Sequence, residues 1–328
     1  MSNSEPYNNL QRTYQSVCRS VIGQEEVIKS IFIGLLVKGH VLLEGLPGTA
    51  KTRSIQTLAK AINAQLGRVQ FTPDLLPSDV TGSEVYREVN GKPSITFEEG
   101  PIFNQLVLAD EVNRAPAKVQ AALLEAMAER TVTVAGQTHN LPELFLVLAT
   151  QNPLDQEGTY PLPEAQLDRF LLKVNVDFPS KEAELDIIRL VRSEEYQAQS
   201  SNKVNPLHAS VEDVLMAQKE VSLVRIAPTM EQYIVNLITA TRYGEEYPNA
   251  TFPKWLEVGV SPRASIALDK CARAHAWLDN RDYVEPDDIR AVAHSVLGHR
   301  LTLNHEAMYE QVTSDMVIDD LLTNVSIG

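Results

Sequence analysis

Cysteine is nearly absent from this chain of 328 residues, which has only Cys18 and Cys271. Two thiols exclude a disulfide framework and a four-thiolate zinc site, and they read as small buried side chains in a reducing compartment. Long apolar runs are missing as well. The longest, Ile31 to Val37, falls well short of the ~18 residues of a membrane span and reads as a piece of buried helix. The first residues, MSNSEPYNNLQR, lack the basic and then apolar stretch of a signal peptide, so a soluble cytoplasmic protein without membrane insertion is expected. Basic residues are scarce too: 29 Lys and Arg stand against 43 Asp and Glu, a formal net charge of −14. That balance argues against a protein that coats nucleic acid, because such binding rests on cations neutralising phosphates. A local basic groove is still compatible with it. Core material is ample: 44% of the residues are hydrophobic, and the length suits two domains of ~150 residues.

The patterning changes character once along the chain. In the first half Glu25 to Lys38 carries apolar residues at helical spacing, and short apolar segments alternate with helical ones. The segments His40 to Leu43, Arg68 to Phe71, Leu106 to Ala109, Leu144 to Ala149 and Leu171 to Val176 predict buried strands of a parallel sheet covered on both faces. Two hairpins interrupt them. One pairs Glu84 to Arg87 with Ser94 to Phe97 around Asn90-Gly91, the other Thr131 to Val134 with Thr138 to Leu141 around Ala135-Gly136-Gln137. After Phe178 the strand signals stop. Helices are predicted over Ser180 to Ser193, Ser210 to Val221, Thr229 to Thr241, Pro262 to Leu278 and Pro286 to Leu297. The expected organisation is an α/β domain over residues 1–180 and an all-α domain over 181–328.

Gly45-Leu46-Pro47-Gly48-Thr49-Ala50-Lys51-Thr52 lies between the first strand and a helical run from Arg53 to Ala64. A strand, a glycine-rich turn and a helix form the context in which backbone N–H groups and a positive helix end receive phosphates. Lys51 then reaches the β and γ oxygens, and the Thr52 hydroxyl is a Mg²⁺ ligand. Ala50 departs from the usual pattern, which has glycine there, but the first turn of a helix accommodates it. A mere glycine-rich turn is the bland alternative. It loses ground because Leu106-Val107-Leu108-Ala109-Asp110-Glu111 is an apolar strand ending in two acids. Asp110 suits Mg²⁺, and Glu111 suits a base that polarises an attacking water. A further strand ends in Thr150-Gln151-Asn152-Pro153, so Asn152 is placed to hydrogen-bond a γ-phosphate and the lytic water. Arg169 ends a short helix that begins near Glu164, and Arg263 starts another. A cation at the positive end of a helix is unfavourable by up to ~1 kcal/mol unless an anion binds there, which makes Arg263 a candidate phosphate sensor. A surface salt bridge is the plain alternative for either arginine.

In this order the segments VIGQEEV (21–27), GLPGTAKT, DEVNRAP (110–116), ATQNP (149–153), LPEAQLDRF (162–170) and SPRA (261–264) resemble the AAA+ ATPases, the MoxR family in particular. The resemblance spans Val21 to Leu301. It implies an AAA+ P-loop NTPase core followed by a helical lid, an ATPase with ATP and Mg²⁺, and a homo-oligomeric ring, commonly a hexamer. It also assigns the parts. Gly45, Pro47, Gly48, Thr49, Ala50, Lys51 and Thr52 form Walker A, and Asp110 and Glu111 form Walker B. Asn152 is sensor 1, Arg169 the arginine finger that completes a neighbour's site, and Arg263 sensor 2. Ile22 and Gly23 match the segment lining the adenine pocket. Residues 75–100 match the helix-2 insert and 131–141 the pre-sensor-1 hairpin, inserts that commonly face a ring's pore. Arg114, close after Walker B, is a further candidate for a role in trans. The family further implies protein clients that are remodelled or matured, often with metal or cofactor centres, and a partner bearing a von Willebrand factor A domain.

Two other motors share this motif order. A helicase-type motor needs basic pore hairpins, yet TVTVAGQTHNL has no Lys or Arg, and Arg87 and Lys92 face Glu84, Glu88, Glu98 and Glu99. The motor subunit of a metal chelatase is not separated by sequence, since such a motor carries no metal site of its own. The histidines His275, His294 and His299 read as satisfied core or surface groups, and Phe97 and Phe103 as core.

Overall fold

The computed structural model describes residues 4–46, 51–89, 92–153, 159–199 and 209–327. Helix α1 (Glu5–Ser20) opens it and was not anticipated. Ser4 caps it by accepting from the Tyr7 amide at 3.3 Å, and its buried face is the sparse series Pro6, Leu10, Thr13 and Val17. Helix α2 (Glu25–Leu36) follows, then β1 (Val41–Gly45), α3 (Lys51–Ala61), β2 (Leu66–Gln70) and α4 (Pro77–Thr81). The hairpin β3 (Gly82–Val89) and β4 (Lys92–Glu99) precedes β5 (Leu106–Asp110), α5 (Ala117–Glu129) and the hairpin β6 (Thr131–Val134) and β7 (Gln137–Asn140). Strand β8 (Leu146–Gln151), helix α6 (Glu164–Leu167) and strand β9 (Leu172–Val176) complete the first half.

Five of these strands form one parallel sheet in the order β2-β5-β8-β1-β9. Alternation of side chains along a strand sorts its residues between two cores. Val41, Leu43, Leu106, Leu108, Leu146 and Leu148 pack with α1, α2 and α3, whereas Leu42, Val107, Ala109, Val147 and Ala149 pack with α5. The strands end one or two residues later than the apolar pattern predicts in β1, β5 and β8. Backbone pairing continues into Glu44, Asp110 and Gln151, whose polar side chains are invisible to a hydrophobic pattern.

Both hairpins form. In the first, Arg87 pairs with Ser94 and Glu84 with Phe97, and the Asn90-Gly91 turn lies outside the described residues. Gly82 at its base has φ +90, and a Cβ there would strike the Glu98 carbonyl. The second turns on Ala135 (φ 47) and Gly136 (φ 81) alone, the paired positive angles of a two-residue type I′ turn, so Gln137 belongs to the strand. Phe103 is buried, and Phe97 packs edge-on against it at 5.5 Å while stacking on His139 at 4.1 Å, which ties the two hairpins together.

The remainder is helical: α7 (Lys181–Gln199), α8 (Val211–Ser222), α9 (Pro228–Ala240), α10 (Phe252–Trp255), α11 (Pro262–Leu278), α12 (Pro286–Leu297), α13 (His305–Tyr309) and α14 (Ser314–Asn324). One difference from expectation is a small antiparallel pair, β10 (Leu256–Val258) with β11 (Thr302–Leu303), too short to leave a periodic signal. Helices α11 and α12 are joined by a buried ionic cluster. Asp288, 0% exposed, accepts from the Glu285 amide (2.7 Å), His275 Nδ1 (2.7 Å) and both Arg281 terminal nitrogens (2.6 and 2.5 Å). Burial pushes this carboxyl up, but the bonds from Arg281 and His275 outweigh it and hold the group at about 2. Among the described residues no helix is long and apolar enough to cross a membrane.

Candidate active site

The sheet order sets the carboxyl ends of β5, β8 and β1 side by side, the edge at which ligands of open α/β sheets gather. Thr150, buried near the end of β8, organises that edge. Its hydroxyl donates to Asp110 Oδ1 at 2.6 Å and accepts from the Glu111 amide at 2.9 Å. Glu111 has left-handed backbone angles (φ 57, ψ 50), a conformation costing a non-glycine residue of order 1–3 kcal/mol. The bond to Thr150 helps to hold that turn. The two acids then take different partners. Arg68 on β2 donates to Asp110 Oδ2 at 3.0 Å, while Gln70 and Arg114 donate to Glu111 Oε2 at 2.9 and 3.0 Å. The arginines are about half exposed, so these ion pairs are worth little, ~0–1 kcal/mol each, and a stronger ligand displaces them readily.

Lys51 starts α3, and its ammonium donates to the carbonyls of Gly45 and of Leu46 (3.1 Å). Burial pushes the Lys51 ammonium down, opposed by the carboxylates of Asp110, Glu111 and Glu44. This one cation and two acids therefore share an electrostatic neighbourhood. Thr52 is the next residue of α3. Its hydroxyl and the Asp110 carboxylate are hard oxygen donors of the kind Mg²⁺ takes, so the donor set fits that ion. Pro47, Gly48, Thr49 and Ala50 lie outside the described residues. Glu44 fixes the end of β1 by accepting from Gln151 Nε2 (2.7 Å) and pairing with Lys173 (2.9 Å).

Gly45 pairs with Val176, and a side chain on it would collide with the Val176 carbonyl. Beyond Val176 the chain meets the segment expected at the adenine. Gln24 donates to the Asp177 carbonyl at 3.1 Å, and Gly23 (φ +75) sits against Pro179 and Ala183. Gly23 is thereby set against the stretch that continues from Val176, the residue paired with Gly45. On the other side Asn113, 7% exposed, donates to the Asn152 carbonyl at 3.2 Å, and its Oδ1 has no partner among the described residues.

The two remaining candidates stand apart. Arg169 is exposed and donates to the Leu124 carbonyl of α5 at 2.6 Å. Arg263, the candidate phosphate sensor, pairs with Asp168 at 3.3 Å, one residue from Arg169. Among the described residues no hydrogen bond or ion pair joins either arginine to Lys51, Asp110 or Glu111. Reading the sequence missed Thr150, Arg68, Gln70 and Asp168. Thr150 and Asp168 lay inside motifs already singled out, but a hydroxyl and an acid next to better-known groups give no separate signal.

Comparison with known proteins agrees with this architecture. Residues 40–172 match the ATPase family associated with various cellular activities (AAA), and residues 254–321 match the AAA lid domain. The fold and site therefore define an AAA-type P-loop ATPase core with its lid. The chain is 42% identical over 320 residues to Chaperone MoxR1 of Mycobacterium tuberculosis, covering 98% of this chain and 82% of that protein. It is 30% identical to Protein MoxR of Methylorubrum extorquens, over 94% of this chain and 91% of the other. A solved structure from Cytophaga hutchinsonii, for which ATPase activity has been proposed, superposes with a TM-score of 0.88 at 43% identity, covering 98% and 95% of the two chains. The chain belongs to the MoxR family of AAA+ ATPases.

Proposed function

We propose that this protein hydrolyses ATP and uses the energy as a chaperone-like motor that remodels or matures protein clients. The observation that carries the reading is the neighbourhood of Lys51, Asp110 and Glu111 at one sheet edge, with Thr150 orienting the two acids differently. The phosphates of ATP are received by the backbone N–H groups available between Gly45 and Thr52, where Pro47 shapes the turn without donating, and Lys51 leaves its carbonyl partners for the β and γ oxygens. Thr52 and Asp110 hold Mg²⁺, which when bound neutralises charge on those oxygens. Glu111 accepts a proton from the attacking water, Asn152 orients that water against the γ-phosphate, and Ile22 and Gly23 flank the base.

Arg169 is exposed and donates to the Leu124 carbonyl, which leaves it open to serve the site of a neighbouring subunit in a ring, for which a hexamer is the family's expectation. Arg263, the phosphate sensor of this reading, pairs with Asp168, one residue from Arg169, which supports its acting close to that finger. An arginine in trans contributes ~10³–10⁵ in turnover, so an isolated subunit is a slow enzyme. The Glu111→Gln variant tests the chemistry: ATP still binds and steady-state phosphate release stops. Normal turnover in that variant rules the mechanism out.

Protein rather than nucleic acid fits the inserts, because Arg87 is paired with Glu98 at 2.8 Å on the hairpin and β6 and β7 carry no Lys or Arg. A von Willebrand factor A protein is the expected partner. Pull-down of that protein favours the chaperone, whereas a porphyrin-binding subunit favours a chelatase-type motor.

A further inference from the structure

Arg300 follows helix α12 in the lid, yet its guanidinium is 4% exposed and is spent almost entirely on the segment around Arg169. Its Nε donates to Asp168 Oδ1 at 2.8 Å, and Nη2 donates to the Phe170 carbonyl at 2.6 Å and the Asp168 carbonyl at 3.4 Å. Nη1 donates to the Leu171 carbonyl at 3.1 Å and to Val296 O within α12. His299, equally buried, adds a bond from Nε2 to the Phe170 carbonyl at 3.1 Å. The carbonyls of residues 168, 170 and 171 are thus all gripped from the lid, while Arg169 between them projects outward to Leu124. Burial works against the Arg300 charge and Asp168 works for it, so the pair is stable only while both stay in place. A planar fork with several fixed donors specifies backbone position in a way a lysine cannot.

We propose that Arg300 is a positioning residue for Arg169. It couples the seating of the lid to the presentation of the arginine finger, so the lid of one subunit governs turnover at its neighbour's site. This rests on the reading of Arg169 as acting in trans. Asp168 completes the device, since its second oxygen holds Arg263, a further arginine of the lid, at 3.3 Å.

The test compares Arg300→Lys with Arg169→Ala in the full-length protein. Lysine keeps the charge for Asp168 but loses the fork to Phe170 and Leu171. Displacing a catalytic group by about 1 Å costs up to ~10²-fold, so kcat is expected to fall ~10- to 100-fold with KM within about threefold of wild type. Mixing Arg300→Lys with Lys51→Ala subunits restores activity, because the Lys51→Ala subunits lend intact fingers to intact nucleotide sites. Wild-type kcat in Arg300→Lys alongside an inactive Arg169→Ala overturns the inference and leaves the finger standing. A loss that mixing does not repair also overturns it, since the defect then lies within the subunit. Full activity in Arg169→Ala instead removes the reading beneath it. If Arg300→Lys does not fold, Asp168→Asn, which keeps shape and removes charge, is expected to show the same pattern.

Discussion

Thr150 donates its hydroxyl to Asp110 at 2.6 Å from a strand 40 residues away in sequence, and the same oxygen receives the Glu111 amide. One side chain thus sets both acids of the site. In Thr150→Val the shape survives and both bonds go, costing about 1–3 kcal/mol of stability for the groups left unpaired. Phosphate release is expected to fall at least tenfold with ATP affinity little changed, and Thr150→Ser is expected to recover most of it. Steady-state kinetics beside thermal melts decide this; undiminished turnover in the valine variant contradicts it.

Acid is expected to weaken the fold through buried neutral histidine. His40 accepts from the Val147 amide at Nδ1 (3.0 Å) and faces the Met127 carbonyl with Nε2, and burial pushes it down to about 4. An unfolded histidine titrates near ~6.5, so as pH falls the unfolded chain takes up the proton first. The His40 contribution is whole above that value and is lost between it and about 4, up to about 3 kcal/mol. His299 is pushed in the same direction, by burial and then by Arg300. Denaturant midpoints at pH 7.5 and 5 measure the loss, and His40→Gln should flatten the slope. Equal midpoints for the wild type at both pH values contradict the account.

The lid rests on the Asp288 cluster. Arg281→Ala leaves a fully buried carboxylate with a single side-chain partner, His275, and is expected to cost about 3–5 kcal/mol. Calorimetry reads this as a large drop in melting temperature, and a change of under a degree contradicts it.

DNA binding is expected to stay in the non-specific range of ~10⁻⁴–10⁻⁶ M at physiological salt. Of the first hairpin's two cations, Arg87 and Lys92, Arg87 already pairs with Glu98, and the second hairpin has none. Fluorescence anisotropy across a salt series checks it, and salt-dependent submicromolar binding would restore the helicase-type reading.

Much of the core was legible because its signal is local. Five short apolar runs became five parallel strands, and the paired acids and Asn152 sit at or just past the ends of β5 and β8. What escaped was of two kinds. Helix α1 is polar overall and has a buried face of only four residues, one of them Thr13, so it offers no apolar run to read, and tertiary packing supplies partners such as Tyr14 against Phe32. The other kind is contact over long sequence separation. Asp168 and Arg300 lie 132 residues apart, and nothing in either neighbourhood announces their bond. For the same reason the contact of Arg263 with Asp168 was not legible, since a position at a helix start says only that the arginine favours an anion.

The shared ATP site is the central claim, and mixing two inactive variants tests it most directly. Arg169→Ala subunits keep an intact Lys51, and Lys51→Ala subunits keep an intact Arg169. The account predicts that each alone is nearly inactive and that mixed rings recover a substantial fraction of wild-type phosphate release, because some interfaces pair a good site with a good finger. If no mixing ratio of properly assembled subunits yields more activity than the separate variants, the site is not shared and the account fails.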